Sequence, residues 1–180
     1  MSFCESHPVR ISEMGPTTPA IRPAEPADSA AVAAIYNHYV AETVITFEEE
    51  PVTSGEMARR IQDVQSALLP WLVAEENGRV AGYAYATPWK TRSAYRFSVE
   101  ITVYLAPGRT GRGLGSLLYS HLFSALQTRG IHAVIGGVAL PNQASVALHE
   151  KFGFTKVAQF SQVGFKFNQW IDVGYWQRIL

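Results

Sequence analysis

The chain carries one cysteine in 180 residues, Cys4, so no intrachain disulfide can form. A stapled secreted scaffold is excluded, and the composition fits a reducing cytoplasm. Metal-ligand spacing is missing too. His38, His121 and His132 are scattered without a Cys or His cluster around them, so no metal is expected. Net charge is zero, with 15 basic residues against 15 acidic ones, which leaves no broad positive footprint for nucleic acid. No apolar run is long enough to span a membrane. Residues 1–19 mix Ser, Glu, Pro, Thr and Gly without the apolar stretch of a signal peptide, and are expected to form a flexible leader. Residues 20–180 suit one domain with a full core.

What is present is regular patterning from Ala20 onward. A short strand around Ile21 ends at Pro23 and Pro26. Asp28 is placed to cap a helix whose apolar residues Val32, Ile35, Tyr36 and Tyr39 recur at helical spacing. Thr53-Ser-Gly-Glu56 reads as a capping box opening a second helix, which Pro70 ends. Strands at Trp71–Glu75 and Val80–Ala86 are joined by Asn77-Gly78, a hairpin turn signal. A strand over Phe97–Leu105 precedes a helix over about Arg112–Thr128, stopped by Gly130. Ala133–Ala139 is a buried strand, and Asn142 caps a helix that stops at Gly153. Strands over Thr155–Phe165 and Val173–Ile179 close the chain. The order β-α-α-β-β-β-α-β-α-β-β describes a single α/β domain without internal repeats, its sheet mixed and mostly antiparallel with flanking helices.

The chemistry starts at the turn between the Phe97–Leu105 strand and the next helix. Gly111, Gly113 and Gly115 bare the backbone just before Leu114, Leu117 and Leu118. A helix N-terminus offers unpaired N–H groups and a positive dipole end, so this turn suits an anion such as a pyrophosphate. A Walker A loop needs Gly-Lys before Ser or Thr, and Gly113 is followed by Leu114. A dinucleotide fingerprint needs a third glycine three residues after the second, and Ser116 stands there. A tight strand-to-helix turn with an ordinary cap is the plain alternative.

Glu100 is the odd residue in its strand. Alternation puts it on one face with Ser98, Thr102 and Tyr104, opposite Val99, Ile101 and Val103. Burial in a central strand pushes a carboxyl pKa upward, which suits a general base near neutral pH; a salt bridge or an exposed face is the other reading. His149 follows Asn142 by two helical turns and lies on the same side of its helix. It would serve equally as a cation stabilised at a helix C-terminus.

Arg112-Gly113-Leu114-Gly115 resembles the acetyl-CoA loop of the GNAT N-acetyltransferases, with Thr110 where that family usually has Gln or Arg, and Arg109 and Arg112 flanking it. From about Ala20 to Leu180 the chain is similar to the phosphinothricin and methionine sulfoximine N-acetyltransferases. The matching segments include Tyr36-Asn-His-Tyr39, Phe47-Glu-Glu-Glu-Pro51, Pro88-Trp-Lys-Thr-Arg-Ser-Ala-Tyr95, Glu100-Ile-Thr-Val-Tyr104, Leu140-Pro-Asn142, Gly164-Phe-Lys166 and Asp172-Val-Gly-Tyr-Trp176. The resemblance implies acetyl-CoA as co-substrate, a small amino acid as acceptor, and a homodimer. It implies Glu100 and His149 as an acid–base pair, with Tyr104 assisting at the acetyl carbonyl. His149 stands where the fold commonly has the tyrosine that protonates the departing thiolate. The acetyl-CoA contacts it implies are Val103, Arg109, Thr110, Gly111, Arg112, Gly113, Leu114, Gly115, Ser116, Asn142 and Ser145. The acceptor contacts are Phe47, Tyr85, Lys90, Arg92, Tyr95 and Thr102. Arg92 is preferred over Lys90 for the acceptor's carboxylate, because a planar guanidinium grips it with two hydrogen bonds. Glu48, Glu49 and Glu50 keep a polyamine acceptor in play, a protein N-terminus is a further acceptor class, and a non-catalytic acyl-CoA-binding module is the non-enzymatic alternative.

Overall fold

The computed structural model describes residues 19–180; Cys4 and all but the last residue of the expected leader lie outside the described residues. These residues form strands β1 (Ala20–Pro23), β2 (Trp71–Glu76), β3 (Arg79–Pro88), β4 (Ser98–Leu105), β5 (Ala133–Leu140), β6 (Thr155–Lys166) and β7 (Gln169–Ile179). The α-helices are α1 (Ser29–Glu42), α2 (Ser54–Ser66), α3 (Leu114–Gln127) and α4 (Gln143–Lys151). The element order is the one the sequence predicts. One sheet runs β1-β2-β3-β4-β5-β7-β6, antiparallel except for the β4–β5 pair.

That exception positions everything else. β4 and β5 are both eight residues long, yet they pair only over Ser98–Glu100 against Ala133–Ile135. Beyond Glu100 the two strands share no ladder, so the sheet is open at its centre. β4 stays in unbroken register with β3 on its other side, from Val99 opposite Pro88 to Leu105 opposite Gly82.

Strand alternation assigns the two faces. Tyr83 faces Tyr104 across the β3–β4 pair and Tyr85 faces Thr102. Glu100 is on that face, where Tyr36 and Tyr39 of α1 lay their rings against Tyr104 at 5.3 and 4.9 Å between centroids. Leu105 lies on the opposite face, within contact distance of Gly115 in α3. Helices α1 and α2 therefore cover the Glu100 face, and α3 and α4 the other. The core fills both sides: Val32, Ile61, Tyr83 and Met57 on one, Leu118, Tyr119, Leu122 and Leu126 on the other.

Local capping departs from expectation in two places. Asp28 does not cap α1 with its side chain; its carboxylate accepts two bonds from Arg22, at 2.7 and 2.8 Å, and one from the Glu25 N–H at 2.8 Å. An oppositely charged guanidinium outcompetes a lone helix N–H for the same oxygens. Thr53 caps α2 by accepting from the Glu56 N–H, but the reciprocal half of the capping box is missing, because the Glu56 carboxylate is taken by Arg59 and Arg60. Strand β7 begins four residues earlier than predicted, since Phe167 and Asn168 make a tight hairpin with positive φ angles and no glycine to announce it.

Candidate active site

The glycine turn sits at the mouth of the opening between β4 and β5. Gly111 and Gly113 hold φ of +75° and +80°, and Gly113 is the left-handed residue that starts α3. A methyl group at either would meet nothing within 4 Å, so the backbone borders open space. Thr110, Gly111, Gly113, Leu114, Gly115 and Ser116 line one wall of a groove of about 510 Å³. Val103, Tyr104 and Leu105 form its floor, and Asn142, Ser145, Leu148 and Lys151 of the α4 region form the far wall. Asn142 also caps α4 by accepting from the Ser145 N–H. The shape fits an elongated ligand whose phosphate end rests on the α3 N-terminus.

Charge at this groove is placed differently from expectation. Arg109 is paired with Glu76 at 2.7 Å and does not line the groove, and exposed Arg112 does not line it either. Lys151 does, with its ammonium donating to Ser116 Oγ at 3.0 Å. Sequence reasoning misses Lys151 because it lies 35 residues downstream of Ser116, on a different helix.

Between the diverging strands lies a pocket of about 60 Å³, bounded by Ile101–Tyr104, Gly137–Ala139, Asn142, Ser145, Tyr119 and His149. Its two titratable flanks stand on opposite faces of the sheet. Gly136 and Gly137 are consecutive in β5, so their missing side chains would point to opposite sides. A Cβ at Gly136 would run into the His149 ring; one at Gly137 would come 3.0 Å from Glu100 Oε1.

Glu100 is half-buried, and among the described residues no hydrogen bond or ion pair reaches its carboxylate. Burial raises its pKa, and the positive field of Lys90 opposes that rise. The salt-bridge reading is thereby removed, and the free carboxylate lies beside Gly137, which borders the gap.

His149 is almost fully buried, so it is not a surface cation at a helix end. Its Nδ1 lies 2.7 Å from the Ser145 carbonyl oxygen, which can only accept, so Nδ1 carries the proton. Nε2 then accepts from the Tyr119 hydroxyl at 3.1 Å. Burial lowers the His149 pKa, against the opposing pull of the Ser145 carbonyl, leaving a neutral ring with both nitrogens engaged. Nothing in the sequence singles out Tyr119; it reads there as one more apolar residue on the buried face of α3.

On the Glu100 face, a hollow of about 450 Å³ is lined by Trp89, Lys90, Tyr95, Ser98, Ile135 and Tyr175, with Val157 and Phe160 of β6 at its outer side. Ile135 is the register partner of Glu100, so this hollow adjoins the carboxylate. Lys90 and Tyr95 of the expected acceptor contacts are brought here. Arg92 is not: it sits exposed ahead of a short turn and does not line the hollow. Thr102 faces the gap, and Tyr85 beside it stacks on Trp71 with centroids 4.1 Å apart. Burial raises the phenol pKa values of both Tyr85 and Tyr104, so both stay protonated as potential donors. Phe47 lies in the segment between α1 and α2, its ring against Gly164 of β6. Glu48 is held by Arg60 at 2.7 Å, which removes one of the three free acids that a polyamine site would use.

An opened sheet, an anion-binding turn at its mouth and an unpaired carboxylate across the gap define a group-transfer site, and the chain belongs to the acetyltransferase (GNAT) domain family, which it matches over residues 21–174. It is 46% identical over 158 residues to the phosphinothricin N-acetyltransferase of Streptomyces viridochromogenes, covering 88% of this chain and 86% of that one. It is 39% identical to the L-methionine sulfoximine/L-methionine sulfone acetyltransferase of Salmonella typhimurium, covering 87% and 92%. The fold superimposes with a TM-score of 0.88 on a phosphinothricin acetyltransferase from Sinorhizobium meliloti in complex with acetyl-CoA, 36% identical, covering 91% and 89%.

Proposed function

We propose that this protein transfers the acetyl group of acetyl-CoA to the α-amino group of a small amino acid or analogue of the phosphinothricin and methionine sulfoximine kind. The observation that carries the reading is Glu100: a half-buried, unpaired carboxylate of raised pKa, facing a central opening whose mouth is an anion-binding turn. Acetyl-CoA supplies the activated acetyl group as a thioester. Thr110 to Ser116 and Lys151 would hold its phosphates, and Val103, Asn142 and Ser145 its arm along the groove.

The amine enters as an ammonium; a free α-amino group titrates at about 8, so it must lose a proton before it attacks. Glu100 takes that proton, directly or through one water. The unladdered stretch of β4 beyond Glu100 turns alternate N–H groups toward the gap, where they meet the developing oxyanion with the Tyr104 phenol. His149 has no spare proton in its neutral form, so its proposed role is to fix Tyr119 and the wall beside the sulfur. As the tetrahedral adduct collapses, the C–S bond breaks and the nitrogen gives its second proton to water. A free thiol titrates at about 8.5, so the sulfur leaves as a thiolate without an enzyme acid and is protonated from solvent.

Lys90 is the cation best placed for the acceptor's carboxylate, because it lines the hollow next to Glu100. The edge hairpin β6–β7 exposes Phe160, Phe165, Phe167 and Trp170, an apolar surface that supports a homodimer and is tested by the mass in solution. The one-cysteine composition supports a cytoplasmic setting.

The test is thiol release from saturating acetyl-CoA with phosphinothricin, methionine sulfoximine and methionine sulfone, compared with methionine and glutamate. The reading expects turnover that depends strongly on the acceptor. Equal, background-level rates across the panel would sink it.

A further inference from the structure

Lys166, at the end of β6, is 1% exposed, one of the least accessible residues in the protein and a lysine. A buried ammonium needs acceptors on several sides. This one has the Thr46 carbonyl at 2.8 Å, the Tyr39 carbonyl at 3.5 Å and the Phe167 ring at 5.0 Å. Tyr39 lies in the last turn of α1, at the negative end of the helix dipole, which favours a cation. Burial lowers the Lys166 pKa, and Glu48 and Glu49 counter that effect.

The segment it grips, residues 43–53, leads to the reaction centre. Thr46 Oγ1 is 2.7 Å from the Tyr36 hydroxyl, and the Tyr36 ring packs edge-on against the Tyr104 ring with centroids 5.3 Å apart. Ile45 lines both the acetyl-CoA groove and the central gap. Phe47 rests on Gly164, two residues before Lys166, where any Cβ would lie 2.5 Å from its ring Cζ. The last three residues of β6 thus clamp this segment twice, by charge at Thr46 and by shape at Phe47.

We infer that Lys166 is a positioning residue for the acceptor: by anchoring the Thr46 carbonyl it sets Ile45 and Phe47 and, through the Tyr36 hydroxyl and ring, the Tyr104 ring beside the gap. It touches no reacting atom itself. The inference rests on the reading that the Glu100 face receives the acceptor. It assigns β6, at the edge of the sheet, to the acceptor side; the acetyl-CoA groove, which Ile45 borders, is held mainly by the α3 turn and the α4 wall and should depend on Lys166 far less.

The test is a steady-state comparison of Lys166→Met and Gly164→Ala with the parent protein, varying each substrate in turn, after circular dichroism has confirmed the fold. Lys166→Met is expected to raise the acceptor KM by at least roughly tenfold and leave the acetyl-CoA KM within about twofold. Gly164→Ala, which dislodges Phe47 from the other clamp, should give the same split. A structural role alone would lower Tm with both KM values unchanged, or move both together; either result overturns the inference. If Lys166→Met does not fold, Gly164→Ala decides by the same criteria. Glu100→Gln, measured alongside, separates the two readings. Full turnover in that variant removes the acceptor-face assignment itself. An inactive Glu100→Gln beside a normal acceptor KM in the clamp variants removes only the role of Lys166.

Discussion

Gly136 and Gly137 are adjacent in β5, and adding one carbon to each should injure different properties of the protein. A Cβ at Gly136 would collide with the Nε2 edge of the His149 ring and lie only 2.6 Å from Cδ2, where ordinary contact between carbons is about 3.5 Å. The ring would have to retreat by roughly 1 Å, yet it is boxed in by Tyr119 and Phe154 and tied to the Ser145 carbonyl. Overpacking of this kind costs about 1–3 kcal/mol, and for a domain of this size each kcal/mol lowers Tm by about 2–4 °C. Gly136→Ala should therefore melt roughly 2–12 °C below the parent. The Cβ at Gly137 meets Glu100 Oε1 at 3.0 Å and the Tyr175 ring at 3.3 Å, the first being the free end of a flexible side chain. Glu100 can swing away by a few tenths of an ångström at little cost to stability, and Ala in place of Gly reduces the entropy of the unfolded chain. A displaced base is costly to the reaction, since a misplacement of about 1 Å is worth up to about 100-fold. Gly137→Ala should keep its Tm and lose on the order of tenfold in kcat. Paired thermal melts and acetyl-transfer rates at saturating acetyl-CoA read both effects. An unchanged Tm in Gly136→Ala, or a larger loss of Tm in Gly137→Ala, would refute the assignment of His149 and Glu100 to opposite faces.

Glu100→Gln should cut turnover by roughly 100-fold or more, the usual size of a lost general base, in a thiol-release assay at pH 7. The same variant should be more thermally stable at pH 8 and no more stable at pH 4. Burial raises the folded pKa of Glu100, so the stability linked to its protonated form is present below the ordinary carboxylate range and is lost as pH rises through the raised value. Lys90→Met removes the field that opposes this rise, so the acidic limb of kcat/KM should move to higher pH. Because Lys90 is exposed, the difference should shrink in high salt, and a limb that stays in place at low salt would detach Lys90 from Glu100. Gly113→Asp puts a side chain on a backbone at φ +80° and a negative charge at the α3 N-terminus; calorimetry should find acetyl-CoA affinity reduced at least roughly tenfold, and unchanged affinity would remove the turn from the binding site.

Much of this was legible in the sequence because it is local. Period-two alternation put Glu100, Thr102 and Tyr104 on one face, and the unbroken β3–β4 register keeps them there. The glycine turn declared itself through bare backbone just ahead of an apolar helix, and Asn142 through its place ahead of α4. What stayed hidden depends on partners distant in the chain. Arg109 looked available to a phosphate, but Glu76 on the neighbouring hairpin claims it. Asp28 looked like a helix cap until Arg22 took its oxygens. For His149 the sequence left a surface cation as open as a catalytic role, because nothing nearby in sequence announces the Tyr119 hydroxyl, 30 residues away. Lys166 read only as part of a matching segment, since its burial depends on Thr46, 120 residues earlier.

The shortness of the β4–β5 ladder explains why the two flanks of the site can act on one bond. A continuous sheet is a wall: its backbone groups are paired, and side chains on opposite faces cannot share a ligand. By ceasing to pair after Glu100 and Ile135, the two strands leave a slot, and in the proposed mechanism a thioester laid along the α3–α4 side would meet through it an amine held on the α1–α2 side. The same break frees N–H groups just where negative charge would develop, so the opening supplies passage and stabilisation together. Small residues are then required at the slot. Gly136 lets the His149 ring press against the strand, and Gly137 leaves room for the Glu100 carboxylate one residue later. The slot also explains why Glu100 can be half-buried without a partner. The cost of desolvating it appears as a raised pKa, which suits the proposed deprotonation of an amine.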